Sequence, residues 1–240
     1  MQELIKDPHF AVEICPYGSS ANPEAAIWQA QHLCVSENAR DSKPPKDAGA
    51  AVIRHQLKVE HWSVLDFASV TLRCFGFPHN VVSQITRHSN SHFLVQSGRY
   101  TGERFTSGYV SNEDLEKLAY LRPVSTYYDR KTGKFEYTQV DRSVDLEYMR
   151  KAINSYSCAI RIGMPHEQAR SLLPYDFRQD FTISGTIKAT FHWLDQRTKA
   201  DSQLEIRTLA HMALEELKEW SPTLFHYYEE HRSGKARLAP

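Results

Sequence analysis

The sequence predicts an α+β or α/β protein in which helix exceeds strand. Residues 141–162 carry apolar side chains at helical spacing, whereas β-branched and aromatic residues concentrate in short runs. With 41% hydrophobic and 24% charged residues, the chain can bury a sizeable core. The 240 residues have the length of one large domain, and we find neither an internal repeat nor a linker. We therefore expect one domain over residues 1–240.

The first third of the chain predicts three helices around one strand. Residues 22–35 begin with Asn followed by Pro, which is typical of a capped helix, and residues 36–49 form a charged, proline-containing loop. A second helix is expected over residues 50–57. Residues 62–74 are rich in β-branched and aromatic side chains, which predicts a strand covered on both faces. A third helix starts near Pro78, and its apolar stripe ends close to a histidine.

The remaining elements are mostly helical. Residues 111–120 start with a serine cap and acidic first-turn residues, which predicts a short helix. Residues 129–133 separate two runs rich in Tyr, Thr and Phe, which indicates a hairpin. Another helix is expected after Pro165, and residues 201–232 predict a last long helical segment that bends near Pro222.

Charge and cysteine content exclude several classes of protein. The 29 basic residues balance 29 acidic residues, so no overall field attracts nucleic acid or an anionic membrane. The 4 cysteines lie far apart without CxxC spacing, and no leader segment opens the sequence, which favours a reducing cytoplasm over secretion. No apolar run approaches the roughly 20 residues that a membrane span requires. We expect a cytoplasmic protein without nucleic-acid or membrane partners.

Anion-binding residues concentrate between residues 84 and 100. Arginines, a hydroxyl and a glycine at Arg87, Ser97, Gly98 and Arg99 suit a phosphate, while the same residues on a solvated surface are the alternative interpretation. His88 and His92 have the spacing of a shared metal site, but a third ligand at clear spacing is missing, so we predict no metal. The commonest dinucleotide and triphosphate motifs, GxGxxG and GxxxxGK[ST], do not occur.

Order and spacing favour the phosphate interpretation. Gln84, Arg87 and His88, followed nine positions after His88 by Ser97-Gly98-Arg99-Tyr100, resemble the signature of the flavin-dependent thymidylate synthases, the ThyX family, in which RHR precedes S-x-R-Y. Other family segments follow the same order over nearly the whole chain. They are the H-x-x-x-x-E-H segment at His55, Glu60 and His61, the A-R-x-x-L-P segment at residues 169–174, L-x-x-R at residues 194–197, and the E-I segment at residues 203–206.

The resemblance implies a fold, a reaction and a set of site residues. The implied fold is a single ThyX-like domain with a mixed or antiparallel sheet flanked by long helices, assembled as a homotetramer whose sites are shared between subunits. The implied reaction transfers one carbon from methylenetetrahydrofolate to dUMP and gives dTMP, with FAD as hydride donor and NADPH as its reductant. The cofactor carries this chemistry, so the protein needs no nucleophile, and Ser97 is assigned a hydrogen bond.

The family positions assign two groups of residues and three catalytic ones. The catalytic residues that the resemblance implies are Arg99, Arg197 and His55. The dUMP ligands are Gln84, Ser97, Gly98, Arg99, Arg170 and Arg197. The FAD ligands are Ser36, His55, Glu60, Arg87, His88, Ser89, Thr186, Lys188 and His192.

Four positions depart from the family pattern. Ser89 replaces the third residue of RHR, Val95 stands where the family commonly has Glu, and Thr186 and Lys188 replace an Asn-x-Arg pair. Because these changes cluster at one inferred pocket, the alternative is a related reaction on another pyrimidine nucleotide, such as methylation of dCMP or hydroxymethylation. A non-catalytic nucleotide- or RNA-binding module, with aromatic residues as stacking surfaces, is the alternative from another class.

Overall fold

The computed structural model describes residues 3–47, 49–106, 111–129 and 131–235, which form helices packed around an antiparallel sheet. The strands are β1 (Ala11–Ile14), β2 (Ser69–Pro78), β3 (His92–Val95), β4 (Ser125–Asp129), β5 (Gly133–Tyr137) and β6 (Arg178–Thr186). The helices are α1 (Pro23–Val35), α2 (Ala50–Lys58), α3 (His79–Ile85), α4 (Gly98–Thr101), α5 (Asn112–Leu118), α6 (Gln139–Arg161), α7 (His166–Ala169), α8 (Ile187–Arg197), α9 (Leu204–Trp220) and α10 (Pro222–His231).

The main sheet has the strand order β1-β2-β6-β3, and every neighbouring pair is antiparallel. The predicted mixed or antiparallel sheet is therefore antiparallel in the part of the chain described. Strands β4 and β5 form a separate hairpin, which confirms the predicted one, although residue 130 of its turn lies outside the described residues.

One face of the main sheet forms the larger hydrophobic core. On β2 the side chains of Val70, Leu72 and Cys74 are buried, and intervening residues are more accessible, as expected for the period of two along a strand. Helices α8 and α9 pack against this side, and Leu209 and Ala213 of α9 are fully buried. A smaller core joins α5 and α6 to the segments that follow α4. These two cores fix the elements that carry the predicted site residues.

Helix boundaries follow from side-chain caps. The Asn22 side chain accepts a hydrogen bond of 3.0 Å from the backbone N–H of Ala25, and Pro23 starts the helix, which confirms the predicted cap. Helix α6 starts at a capping box formed by Thr138 and Asp141, so it begins two residues before the predicted position. The helix predicted over residues 111–120 is α5, capped by the Ser111 hydroxyl, which accepts from the backbone N–H of Asp114.

The strand predicted over residues 62–74 is wrong in its first half. Residues Trp62–Phe67 form a 3-10 helix, and the strand runs later, over Ser69–Pro78. Val64 and Leu65 are buried in the larger core from this 3-10 turn. A short apolar run is compatible with a buried strand or a buried helical turn, and its sequence period does not decide between them.

The last predicted helix is two helices. Helix α9 ends at Trp220 and α10 begins at Pro222, with Ser221 between them in a non-helical conformation (φ −143°, ψ 81°). Proline lacks the N–H that would continue the ladder of α9, so the chain changes direction where the sequence predicts a bend. The helix expected after Pro165 is only the four-residue α7, followed by a 3-10 turn over Arg170–Leu172.

Candidate functional site

The centre of the candidate site is a hydrogen-bonded cluster between α3, α8 and the loop after α3. The Nε–H of Arg197 donates to His88 Nε2 at 3.0 Å, and Nη2 of the same guanidinium donates to the backbone oxygen of Gln84 at 3.0 Å. The His192 ring approaches His88 edge to face at 5.9 Å between ring centroids. The fold thus brings together four residues that the sequence assigned to two different ligands.

His88 is buried, with 4% of its surface exposed, and is held neutral. The pKa of His88 is lowered from 6.5 to about 4, chiefly by burial and to a smaller extent by the charges of Arg197, His192 and Arg87. Since Nε2 accepts from Arg197, the ring proton is on Nδ1, an assignment that follows from the hydrogen bond. A neutral acceptor fixes the orientation of the Arg197 guanidinium without cancelling its positive charge.

A second chain of hydrogen bonds supports Gln84 from the α9 side. Gln84 Nε2 donates to Gln203 Oε1 at 2.7 Å, and Gln203 Nε2 donates to Glu205 Oε2 at 2.9 Å. The Tyr120 hydroxyl donates to the other oxygen of Glu205, at 3.1 Å. In the sequence, Gln203 and Glu205 belong to a segment that resembles a family motif, and the resemblance assigns them no role. The spacing of Gln203 and Glu205 along the chain does not predict this contact, because only the tertiary fold brings the start of α9 to Gln84.

The segment from Ser97 to Arg99 forms a capped turn at the end of β3. The Ser97 hydroxyl accepts a hydrogen bond of 3.3 Å from the backbone N–H of Arg99, which fits its assignment as a hydrogen-bonding group. A Cβ on Gly98 would meet nothing within 4 Å, so this glycine leaves open space above the backbone. Arg99 Nε lies 3.5 Å from Glu167 Oε2 of α7. Arg170 is exposed in the 3-10 turn that follows α7 directly.

Helix α8 and its cap carry three of the residues assigned to FAD. Its cap is Thr186, whose Oγ1 accepts from the Ala189 N–H at 3.2 Å and donates to Asp66 at 3.1 Å. Lys188 Nζ lies 3.5 Å from the second oxygen of Asp66. His192 follows one turn later and accepts a hydrogen bond of 3.0 Å from the Gln196 side-chain amide. Thr186 and Lys188, two of the positions that depart from the family pattern, therefore both contact the carboxylate of Asp66.

The other FAD assignments lie on exposed connections. His55 is exposed on α2, and Glu60, after the end of that helix, has a left-handed φ of 58°. Ser36 caps the end of α1 and accepts from the Asn38 N–H at 3.2 Å. Arg87 and Ser89 are exposed on either side of buried His88. No hydrogen bond or ion pair in the described ranges joins these side chains to the Arg197 cluster.

The departure at Val95 is an apolar packing position. Val95 is the last residue of β3, is partly buried, and packs against the larger core. The neighbouring residue Gln96 continues the pairing with β6. Its backbone N–H donates to the backbone oxygen of Asp180 at 2.8 Å, and its backbone oxygen accepts from Gln179 Nε2 at 3.1 Å. A carboxylate at position 95 of this chain would face that apolar surface, so the valine suits its surroundings here.

The donor set fits a phosphate-bearing cofactor and nucleotide and offers no metal cage. Exposed Arg87, Arg99 and Arg170 supply guanidinium groups, and the N-terminal end of α8 is flanked by Lys188. No group of three or more His, Cys, Asp or Glu side chains in the described part of the chain is arranged to hold a metal ion. Within the same residues, none of the helices combines the length and hydropathy needed to cross a bilayer.

Comparison with known proteins gives this arrangement its family context. The chain is 30% identical over 204 residues to the flavin-dependent thymidylate synthase of Haloarcula marismortui, covering 79% of each chain. It is also 30% identical over 195 residues to the enzyme of the same name from Halobacterium salinarum, covering 75% of each chain.

Solved structures agree with this fold. A UMP/dUMP methylase, PolB, from Streptomyces cacaoi, bound with 5-Br dUMP, superposes with a TM-score of 0.75 at 19% identity, covering 96% of this chain and 97% of the other. Thymidylate synthase X of Helicobacter pylori, with FAD and dUMP, superposes with a TM-score of 0.71 at 15% identity, covering 92% of this chain and 100% of the other.

The family predicted from the ordered motifs is therefore confirmed. The family model described as thymidylate synthase complementing protein matches residues 18–223, which include every residue assigned to the site. Together with relatives of 30% identity that cover most of the chain, this match shows that the protein belongs to the thymidylate synthase complementing protein family, the flavin-dependent thymidylate synthases.

Proposed function

We propose that this protein is a flavin-dependent thymidylate synthase. It transfers one carbon from methylenetetrahydrofolate to C5 of dUMP and releases dTMP. When bound, reduced FAD supplies the hydride that completes the methyl group, and NADPH reduces the flavin again. The observation that carries the proposal is the Arg197–His88–Gln84 cluster. Neutral His88 orients Arg197, the residue that we assign to the nucleotide from its resemblance to the family motif.

Arg197 is assigned the electrostatic part of the reaction. Two of its nitrogens are held by His88 and Gln84, so the guanidinium has one orientation, and burial lowers its pKa without removing its charge at neutral pH. A fixed cation beside a pyrimidine stabilises negative charge that develops on the ring during attack. Preorganisation matters here because the charge need not be reoriented during the reaction.

Arg99 and Arg170 are assigned to the nucleotide phosphate, with Ser97 and Gly98 at the same turn. Both guanidinium groups are exposed and come from neighbouring segments, α4 and the turn after α7. Planar guanidinium forks suit a phosphate with several acceptor oxygens. His55, the third residue proposed as catalytic, is exposed on α2 and therefore accessible to a ligand or to another subunit.

The FAD site is proposed to combine α8 with the exposed connections. Lys188 and His192 belong to α8, and Thr186 caps it. The loop that carries Arg87 and Ser89 lies beside this cap, since Asn90 and Ser91 approach Gly185. Among the described residues of one chain, the side chains of Ser36, His55 and Glu60 form no hydrogen bond or ion pair with α8. We propose that a homotetramer completes the site by bringing such segments together from different subunits, and that the enzyme acts in the cytoplasm.

Exposed apolar side chains near the site support the assembly. Leu94 and Tyr100 flank the Ser97–Arg99 turn with 78% and 80% of their surfaces exposed. Burial of such side chains at a subunit interface is favourable. Light scattering on the purified protein tests the proposal, and a monomeric mass at micromolar concentration contradicts it.

The reaction is tested by flavin oxidation under anaerobic conditions. We expect a yellow protein that NADPH reduces and that is reoxidised on addition of methylenetetrahydrofolate with dUMP, with dTMP as product. Reoxidation by dCMP alone, or a hydroxymethylated product, contradicts the assigned substrate and favours the related reaction. A colourless protein that binds RNA with steep salt dependence supports the binding module instead.

A pair of variants tests the phosphate assignment. Arg170→Gln removes a proposed phosphate ligand, whereas Arg161→Gln removes one positive charge from an exposed position on α6 that is not assigned to the site. We expect the KM for dUMP to rise by about tenfold or more in Arg170→Gln, because a charge-assisted hydrogen bond is lost. The two variants showing equal KM values would contradict the role of Arg170.

A further inference from the structure

The ion pair between Arg99 and Glu167 stands between the two segments that carry the proposed phosphate ligands. Glu167 Oε2 lies 3.5 Å from Arg99 Nε, with 49% and 63% of the respective side chains exposed. Glu167 belongs to α7, and Arg170 follows three residues later in the next turn. One carboxylate therefore joins the segment of Arg99 to the segment of Arg170.

Glu167 pairs with Arg99 on another segment and forms no such pair with Arg170, three residues later in its own segment, among the described residues. A Glu three residues before an Arg on one helical turn commonly pairs with it, but here the carboxylate contacts Arg99 across the two segments. The Arg99 guanidinium also lies over the Tyr100 ring, at 5.8 Å from its centroid. A carboxylate offers Arg99 the same kind of anionic oxygen that a phosphate offers.

We propose that Glu167 is a stand-in for the nucleotide phosphate in the ligand-free enzyme, holding Arg99 until the phosphate displaces it. The inference rests on the proposed function, which assigns Arg99 and Arg170 to that phosphate. Nucleotide binding then exchanges one anionic partner of Arg99 for another. Glu167 in this sense lowers the affinity for a ligand that carries the phosphate and leaves the affinity for one without it unchanged.

The surroundings of Glu167 permit this exchange by side-chain rotation alone. The backbone of α7 is anchored, because the Tyr156 hydroxyl lies 2.6 Å from His166 Nδ1 and Ala169 is fully buried. The ion pair itself is largely exposed, and exposed pairs contribute little to stability and exchange partners readily. A phosphate dianion that reaches Arg99 and Arg170 also approaches the charge of Glu167 and is repelled by it until that side chain turns away.

The experiment measures binding of dUMP and of deoxyuridine to the flavin-loaded protein by calorimetry. The variant Glu167→Gln removes the charge and keeps the shape. The matched control is Glu103→Gln, since Glu103 is exposed four residues after Arg99 and forms no ion pair among the residues that the structure describes. Glu167→Ala is a second variant that separates loss of charge from any hydrogen bond of the amide.

We expect both Glu167 variants to bind dUMP about three- to tenfold more tightly than the wild type, with the gain reduced at high salt. Deoxyuridine carries no phosphate, and its affinity should differ by no more than about twofold among all the proteins. The affinity of the control variant for dUMP should likewise lie within about twofold of the wild-type value. These results together support the stand-in role.

Other outcomes overturn the inference in distinguishable ways. If wild type and Glu167 variants bind dUMP equally, or the variants bind it more weakly, Glu167 does not compete with the phosphate, and the proposed function stands. If deoxyuridine gains as much affinity as dUMP, the effect does not come from the phosphate and the inference fails. If none of the proteins binds dUMP, the proposed function fails, and the inference fails with it.

Discussion

The neutral state of His88 predicts a specific dependence of stability on pH. The pKa of His88 is lowered from 6.5 to about 4 in the folded protein, chiefly by burial. Between these values the unfolded chain binds more protons than the folded one, so this contribution to stability is complete above pH 6.5 and is lost as the pH falls towards 4. His88→Gln removes the titrating ring while an amide oxygen can still accept from Arg197.

The magnitude follows from the two pKa values. At pH 5 the linkage relation gives a loss of at most about 2 kcal/mol relative to pH 8, because most unfolded chains but few folded ones carry the proton. Arg87, one of the charges that lower the pKa, is exposed, so solvent and salt reduce its share. We therefore expect about 1–2 kcal/mol of pH-dependent stability from His88.

Urea unfolding at pH 8, 7, 6 and 5 in wild type and His88→Gln measures this contribution. The difference between their free energies of unfolding cancels other titrating groups, such as His211 and Asp195, whose pKa values are also shifted by burial. The difference should change by about 1–2 kcal/mol between pH 8 and pH 5, with the wild type losing more stability. Parallel curves for the two proteins, or a His88 ring that titrates near pH 6.5 by NMR, would refute the reasoning.

Three further predictions concern the scaffold. Asp195→Asn should reduce the free energy of unfolding by about 3 kcal/mol, because it leaves the Arg232 charge buried without its carboxylate. Gly102→Ala should cost about 1–3 kcal/mol, since the new methyl group would overlap the Tyr156 hydroxyl. Cys74 should resist a thiol reagent in the native protein, because full burial raises the pKa of its thiol.

Controls distinguish these effects from general perturbation. Gly98→Ala is the reference for Gly102→Ala, because a Cβ at position 98 would meet nothing within 4 Å. Gly133 also has open space around it, but its φ of 80° would strain the backbone of an alanine, so it is a poorer reference. Equal stability of Gly102→Ala and Gly98→Ala would contradict the predicted overlap. Urea unfolding measures the free energy of unfolding of Asp195→Asn and of the glycine variants. Labelling of Cys74 by the thiol reagent as fast as labelling of exposed Cys34 would contradict the predicted lack of reactivity of Cys74.

Most local elements were predictable because their signals are local. The Asn22 cap, the capped helix at Ser111 and the break at Pro222 depend on hydrogen bonds or steric effects within a few residues. The segment from Trp62 to Phe67 was not predictable, since burial of Val64 and Leu65 depends on elements distant in sequence. Tertiary packing there outweighs strand propensity.

The sequence by itself determined the family and the residue types of the site, because ordered motifs such as Ser97-Gly98-Arg99 can be recognised without knowledge of the fold. Only the tertiary structure decided which of these residues cooperate. It placed Arg197 on neutral His88 across 109 positions of the chain, and Glu167 on Arg99. Charge, burial and hydrogen bonding act through distance in space, and the spacing of residues along the chain does not specify that distance.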